Sequence, residues 1–171
     1  FPQKILIAGG FHPTVRPQEC LENGFNVVVR GEGEYILPNL LDKLEKGEKV
    51  SGIHISKRIR NLDELPFPAR DLISEDYFRK YNQAAIIGSR GCYNSCKFCG
   101  SAKSGLIKRN PMNIVSELEE IVLYHKYQPI HFCDDIFTHD TEWVKEITEK
   151  IIKRKLQIRY SCNSRVDVSD V

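Results

Sequence analysis

The chain is expected to be an α/β protein built on parallel strands, and three observations carry that expectation. Short apolar runs end in glycine, as Lys4-Ile-Leu-Ile-Ala8 ends at Gly9-Gly10, which is how a strand buried on both faces reads. Strand-like runs alternate with stretches of helical period, the order of an open doubly wound sheet. The spacing between strands suits successive βα units with right-handed crossovers.

In chain order, residues 4–8 form the first strand. A loop containing Pro13 and Pro17 follows, and residues 18–23 make a short helix with Gly24 past its end. Asn26-Val-Val-Val-Arg30 is a β-branched strand ended by Gly31-Glu-Gly-Glu34. A helix over 34–46 places Ile36, Leu37, Leu40, Leu41 and Leu44 on one stripe, with Gly47 beyond it. Residues 48–83 change character: charge and Pro66-Phe67-Pro68 dominate, the residues before the prolines are driven out of helix, and low Gly/Ser content argues for an ordered, extended connector. The α/β pattern resumes with a strand at 84–88, a cysteine-bearing loop over 89–105 and a helix over 111–127. Asn110 and Pro111 form the cap and first position of that helix. A strand at 130–133, a helix capped by Asp140 that carries Trp143, Ile147 and Ile151, and a strand at 157–162 complete the order.

The 171 residues are 41% apolar and 28% charged, which excludes disordered and collagen-like classes. A balance of 25 basic against 23 acidic residues, net +2, offers no basic surface that would argue for nucleic acid or an anionic membrane. No apolar run reaches the roughly 18 residues of a membrane span, and no secretory signal is visible. A chain that opens on Phe1 and holds its only methionine at Met112 reads as a piece of a longer protein.

The six cysteines are the informative residues. Cys20, Cys133 and Cys162 are scattered, whereas Cys92, Cys96 and Cys99 form a C-x3-C-x2-C segment, Gly91-Cys-Tyr-Asn-Ser-Cys-Lys-Phe-Cys-Gly100. A secreted disulfide scaffold would be smaller and denser in cysteine, so the cluster reads as a metal site in a reducing cytosol. Thiolates select zinc or an iron–sulfur cluster. A closed site wants a fourth ligand, and the nearest candidates, His131 and Cys133, lie a whole helix away.

With Phe98 before the third cysteine, the segment resembles the signature of the radical S-adenosylmethionine (SAM) enzymes, C-x3-C-x-aromatic-C after the first barrel strand. The resemblance extends to Gly9-Gly-Phe-His-Pro-Thr14, Val29-Arg-Gly-Glu-Gly-Glu34, Leu62-Asp-Glu-Leu-Pro-Phe-Pro-Ala-Arg-Asp71 and Phe132-Cys-Asp-Asp-Ile-Phe-Thr138, which together are similar to the subgroup with a cobalamin-binding domain before the barrel. It implies that Cys92, Cys96 and Cys99 hold three irons of a [4Fe–4S] cluster while the fourth iron chelates S-adenosylmethionine. It further implies a SAM-binding role for Phe98, for one of Asp134 and Asp135, and for Arg165. Here Cys133-Asp134-Asp135 stands where the family commonly carries Gly-Gly-Glu. Gly9, Gly10 and His12 become candidates for contacting cobalamin.

Each piece also has a plainer reading. Gly9-Gly10 serves as a strand-end turn, His12 as a packing histidine, and Gly31-Glu-Gly-Glu34 as a turn feeding a helix whose N-terminus favours carboxylates. Asp134-Asp135 can be a solvated strand-end pair, and the stretch Lys97, Lys103, Lys108, Arg109 a solvated loop face. Cys20 and Cys162 read as small buried hydrophobes.

The resemblance therefore implies the C-terminal half of a Rossmann-like cobalamin-binding domain over residues 1–50, a connector over 51–83, and the first part of a partial (β/α)6 radical SAM barrel over 84–171. It also implies a cytoplasmic enzyme that takes a small-molecule substrate and an electron donor such as flavodoxin or ferredoxin. A methylthiotransferase-like relative without cobalamin and a non-enzymatic zinc or iron–sulfur protein are the alternatives.

Overall fold

The computed structural model describes residues 4–74, 76, 80, 83–125 and 129–167. They divide into two compact units between Arg60 and Asn61, so residues 51–60 of the expected connector belong to the first unit and 61–74 to the second.

In the first unit, strand β1 (Ile7–Ala8) leads into helices α1 (Phe11–Val15) and α2 (Pro17–Glu22), strand β2 (Val27–Arg30), helix α3 (Ile36–Glu45) and strand β3 (Gly52–Ile55). The three strands form a parallel sheet in the order β1-β2-β3. Central β2 is a run of valines because it is covered on both faces. Alternate side chains point oppositely, so Val28 packs with Ala8 and Cys20 while Val27 and Val29 pack with Leu40 of α3. Two elements depart from expectation. The loop predicted around Pro13 is helical, since Pro13 sits in the first turn of α1 and Pro17 opens α2, where a backbone N–H has no helical partner to lose. Strand β3, hidden in the charged connector, is an edge strand that alternates half-buried and exposed residues and pairs with the whole of β2.

The second unit runs through strands β4 (Ala84–Ile86), β5 (Ser89–Arg90) and β6 (Ile107–Lys108), helix α4 (Pro111–Glu120), strand β7 (Ile130–Phe132), helix α5 (Thr141–Lys153) and strand β8 (Tyr160–Cys162). Strands β4, β7 and β8 form a parallel sheet in the order β4-β7-β8. The Asn110 side chain accepts the Met112 N–H at 2.8 Å and Pro111 occupies the first turn of α4. The helix passes into a π-helical turn at Ile121–His125; its expected continuation to Tyr127 lies outside the described residues, as do 75, 77–79, 81 and 82 of the connector.

One face of this sheet is closed by α4 and α5. Ala84, Ile86, Ile130 and Phe132 share a core with Ile114, Leu118, Trp143 and Ile147. Phe132 and Phe137 stack at 4.2 Å between centroids, and the Trp143 indole N–H donates to the Arg109 carbonyl at 2.9 Å. The opposite face, carrying Ala85, Ile87, His131 and Cys133, stays accessible. Strands β5 and β6 pair antiparallel and pin together the two ends of the cysteine loop. No helix among the described residues is long and apolar enough to cross a membrane.

Candidate functional site

The cysteine loop leaves the C-terminal end of β4 and returns through β6. Gly91 and Gly105, at φ +88° and +75°, turn the chain out and back where a side chain would be strained. Between them the loop is ordered by its own polar groups. Ser104 Oγ accepts the Cys92 N–H at 3.0 Å and donates to the Ser101 carbonyl at 2.7 Å, and the Lys103 N–H donates to the Asn94 carbonyl at 2.8 Å. Cys92 is buried, Cys96 half-buried and Cys99 exposed. The Asn94 backbone N–H and side-chain amide both point at Cys92 Sγ, at 3.4 and 3.5 Å. Phe98 is 94% exposed.

Among the described residues no three Cys, His, Asp or Glu side chains are gathered closely enough to hold a metal ion. The loop thus brings three unbridged thiols to one short stretch without drawing them round one point. The donor set itself, three soft sulfurs on a polar, glycine-flanked loop, fits an iron–sulfur cluster or zinc.

The next two parallel strands send residues to this loop from the same end of the sheet. After β7, the two aspartates part company. Asp134 turns into the protein, 1% exposed, where it accepts the Gly88 N–H at 2.9 Å and the Ser89 hydroxyl at 2.5 Å. Burial pushes its carboxyl above the usual range, only partly opposed by those two bonds. Asp135 faces outward and accepts a hydrogen bond from Ser101 Oγ at 3.3 Å. Beyond β8, Arg165 reaches Cys96 Sγ at 3.9 Å and forms a two-pronged pair with Asp167, at 2.8 and 2.6 Å. That pairing holds the Asp167 carboxyl below its ordinary range.

In the first unit a cleft of about 410 Å³ opens beyond the C-terminal ends of β1 and β2. Gly9, Gly10, Gly31 and Gly33 line it beside Ile7, Val29 and Leu37, so bare backbone meets whatever enters. His12 does not line this cleft; it lies on α1, 3.8 Å from the Glu19 carboxylate.

Sequence reasoning passed over Ser101, Ser104 and Asn94, which organise the loop, because isolated polar residues carry no periodic signal. It also misread Arg109. Expected on a solvated basic face, it is 8% exposed and bonded to Glu117 at 2.5 Å and to the Ile87 carbonyl at 2.7 Å.

Comparison with known proteins supplies relatives. The chain is 30% identical, over 95% of its length, to a protein of Pyrococcus horikoshii named an uncharacterized methyltransferase. It is 28% identical over 96% to the anaerobic magnesium-protoporphyrin IX monomethyl ester cyclase of Rubrivivax gelatinosus, and 25% identical over 98% to an uncharacterized methyltransferase of Synechocystis. It spans 40%, 34% and 32% of those proteins' own lengths. These relatives are named as enzymes. No family model matches the chain, and no solved structure does.

Proposed function

We propose that this chain is part of a radical SAM enzyme in which Cys92, Cys96 and Cys99 hold a [4Fe–4S] cluster. One observation carries the reading: the three-cysteine loop, Asp135 and Arg165 come together from the C-terminal ends of successive parallel strands. That end of a parallel α/β sheet is where ligand sites form, because loops can vary there while the strands hold them rigidly. On this reading β4, β7, β8 and their helices are the first units of a partial (β/α)6 barrel.

Three thiolates leave one metal position open, and the cluster, when bound, would pass an electron from a flavodoxin- or ferredoxin-type donor to S-adenosylmethionine. The chain's own residues bind and orient. Asp135, exposed beside the loop, offers a carboxylate to the amino group of SAM. Arg165 offers a guanidinium to its carboxylate in exchange for Asp167. Asp134 positions the root of the loop through Gly88 and Ser89. The glycine-lined cleft of the first unit suits close approach by a cobalamin cofactor, with Gly9 and Gly10 at its rim. The names of the relatives, methyltransferase and cyclase, support methyl transfer or ring closure on a small molecule as the outcome.

The test is anaerobic reconstitution of the full-length protein with iron and sulfide. Wild type should take up a full cluster whose reduced spectrum changes when SAM is added. Cys92→Ala, Cys96→Ala and Cys99→Ala should each lose it, while Cys20→Ala and Cys162→Ala keep it. Near-normal iron in any of the first three, or zinc as the sole metal bound, would overturn the reading.

A further inference from the structure

We infer that Thr14, which does not itself line the glycine cleft of the first unit, is the positioning residue that sets its width, one hydroxyl strapping together the two loops that form its walls. The role assigned to Thr14 rests on the reading of that cleft as a cobalamin site.

The cleft opens where the pairing of β1 and β2 stops. The two strands are paired at Ile7↔Val27 and Ala8↔Val28. Beyond Ala8, Gly9 and Gly10 form one wall, and Gly31 and Gly33, after β2, form the other. At Gly10 and Gly33 nothing lies within 4 Å of where a Cβ would stand. Backbone alone faces the opening there, which fits the close approach of a large cofactor. Past the last paired residues, other contacts must fix how far apart the two loops lie.

Thr14 supplies such contacts. Half-buried on α1, one turn after Gly10, it donates through Oγ1 to the Gly10 carbonyl at 2.6 Å. A hydroxyl bonded back to the carbonyl four residues earlier is common on helices and by itself signals nothing. What sets Thr14 apart is a second bond. The same oxygen accepts the Gly31 N–H at 3.0 Å, from the facing loop 17 residues away. A hydroxyl has one proton and two lone pairs, so committing the proton to Gly10 leaves a lone pair for Gly31. The Thr14 carbonyl also accepts the Arg30 Nε–H at 3.1 Å, which doubles the tie. On its other side Gly31 is backed by Ser56, whose carbonyl oxygen would stand 3.3 Å from a Cβ there. Gly31 is thus held between Thr14 and the residue that follows β3. Loops set in place before the ligand arrives need not be ordered when it binds, and that saving appears as affinity.

Hydroxocobalamin titrated into the full-length protein, followed by its visible absorption, tests this. Wild type should bind it saturably at one site. Thr14→Val keeps the shape of the side chain and removes the hydroxyl. It should bind about tenfold more weakly, the factor one hydrogen bond is worth, and Thr14→Ser should stay within about twofold of wild type. Thr14→Ala is a second hydroxyl-free variant with the same expected loss. Cys20→Ala loosens the core of the same unit without touching the strap and should bind like wild type. Without any ligand, amide hydrogen exchange read by mass spectrometry should quicken in Thr14→Val over the peptide holding Gly31 and stay unchanged over α3. Unchanged exchange at Gly31, a Thr14→Ser variant as weak as Thr14→Val, or an equal loss in Cys20→Ala would each overturn the inference. Wild type that binds no hydroxocobalamin would overturn it together with the cobalamin reading of the cleft, whereas wild-type binding that Thr14→Val matches would overturn it alone.

Discussion

Gly88 shows how tightly the root of the cysteine loop is built. A Cβ there would lie 2.9 Å from Cη2 of Trp143, 3.2 Å from the Asp134 carboxylate and 3.4 Å from Ile114. The indole is held by its bond to the Arg109 carbonyl and the carboxylate by Ser89 and Gly88 itself, so neither can swing aside. Gly88→Ala should cost about 1–3 kcal/mol, the usual penalty for overpacking a filled core. Urea unfolding followed by fluorescence of Trp143, the chain's one tryptophan, measures it, and an unshifted midpoint would contradict this packing.

Helix α5 depends on how it begins. Asp140 accepts the Trp143 N–H at 3.0 Å and the Lys108 ammonium at 2.5 Å, so one carboxylate both caps the helix and ties it to β6. Asp140→Ala should lose about 1 kcal/mol through the cap. The Lys108 bond, and after it the Trp143 amide, hold the Asp140 carboxyl below the usual carboxylate range. A depressed folded value means that its contribution is complete above the unfolded pKa of about 3.9, and fades as pH falls through the folded value. The stability difference between wild type and Asp140→Ala should therefore be constant from pH 7 to about 5 and shrink below about 4. A difference that persists unchanged in acid would show that the side chain acts through packing alone.

Across the second unit, the buried cluster in which Glu117 pairs with both Arg70 and Arg109 joins the connector, strand β4 and helix α4. In the order β4-β7-β8, β4 has β7 on one side and no other strand among the described residues on the other. On the other, Arg70 and Arg109 take up the carbonyls of Ala85 and Ile87, polar groups that an edge strand otherwise offers to a stray partner. Glu117→Ala would leave two guanidinium groups buried without a counter-charge. It should destabilise the unit by about 3–5 kcal/mol, the cost of breaking a buried ion pair from one side. Chemical denaturation read at Trp143 checks this, and a loss below about 1 kcal/mol would mean that the cluster is hydrated.

What the amino-acid order determined by itself was local. Asn110-Pro111 and Asp140 mark their helix starts because a cap is a contact between residues two or three apart. The valines of β2 announce a doubly covered strand, and three cysteines in eight residues announce a metal-type loop whatever surrounds them. The tertiary structure decided the rest, through partners far apart in the chain. Gly52-Ile-His-Ile55 becomes a strand only because the edge of β2 is open to it, and its short sequence reads as connector in isolation. Asp134 and Asp135 look alike in the chain; the pleat and the pocket formed by Gly88 and Ser89 send one inward and leave the other beside Ser101. Arg109 reads as part of a solvated loop face, because a charged residue is ordinarily solvated, and nothing nearby in the chain marks Arg70 or Glu117 for burial. Arg70 meets its carboxylate 47 residues away, and only folding gives the two a common, buried place.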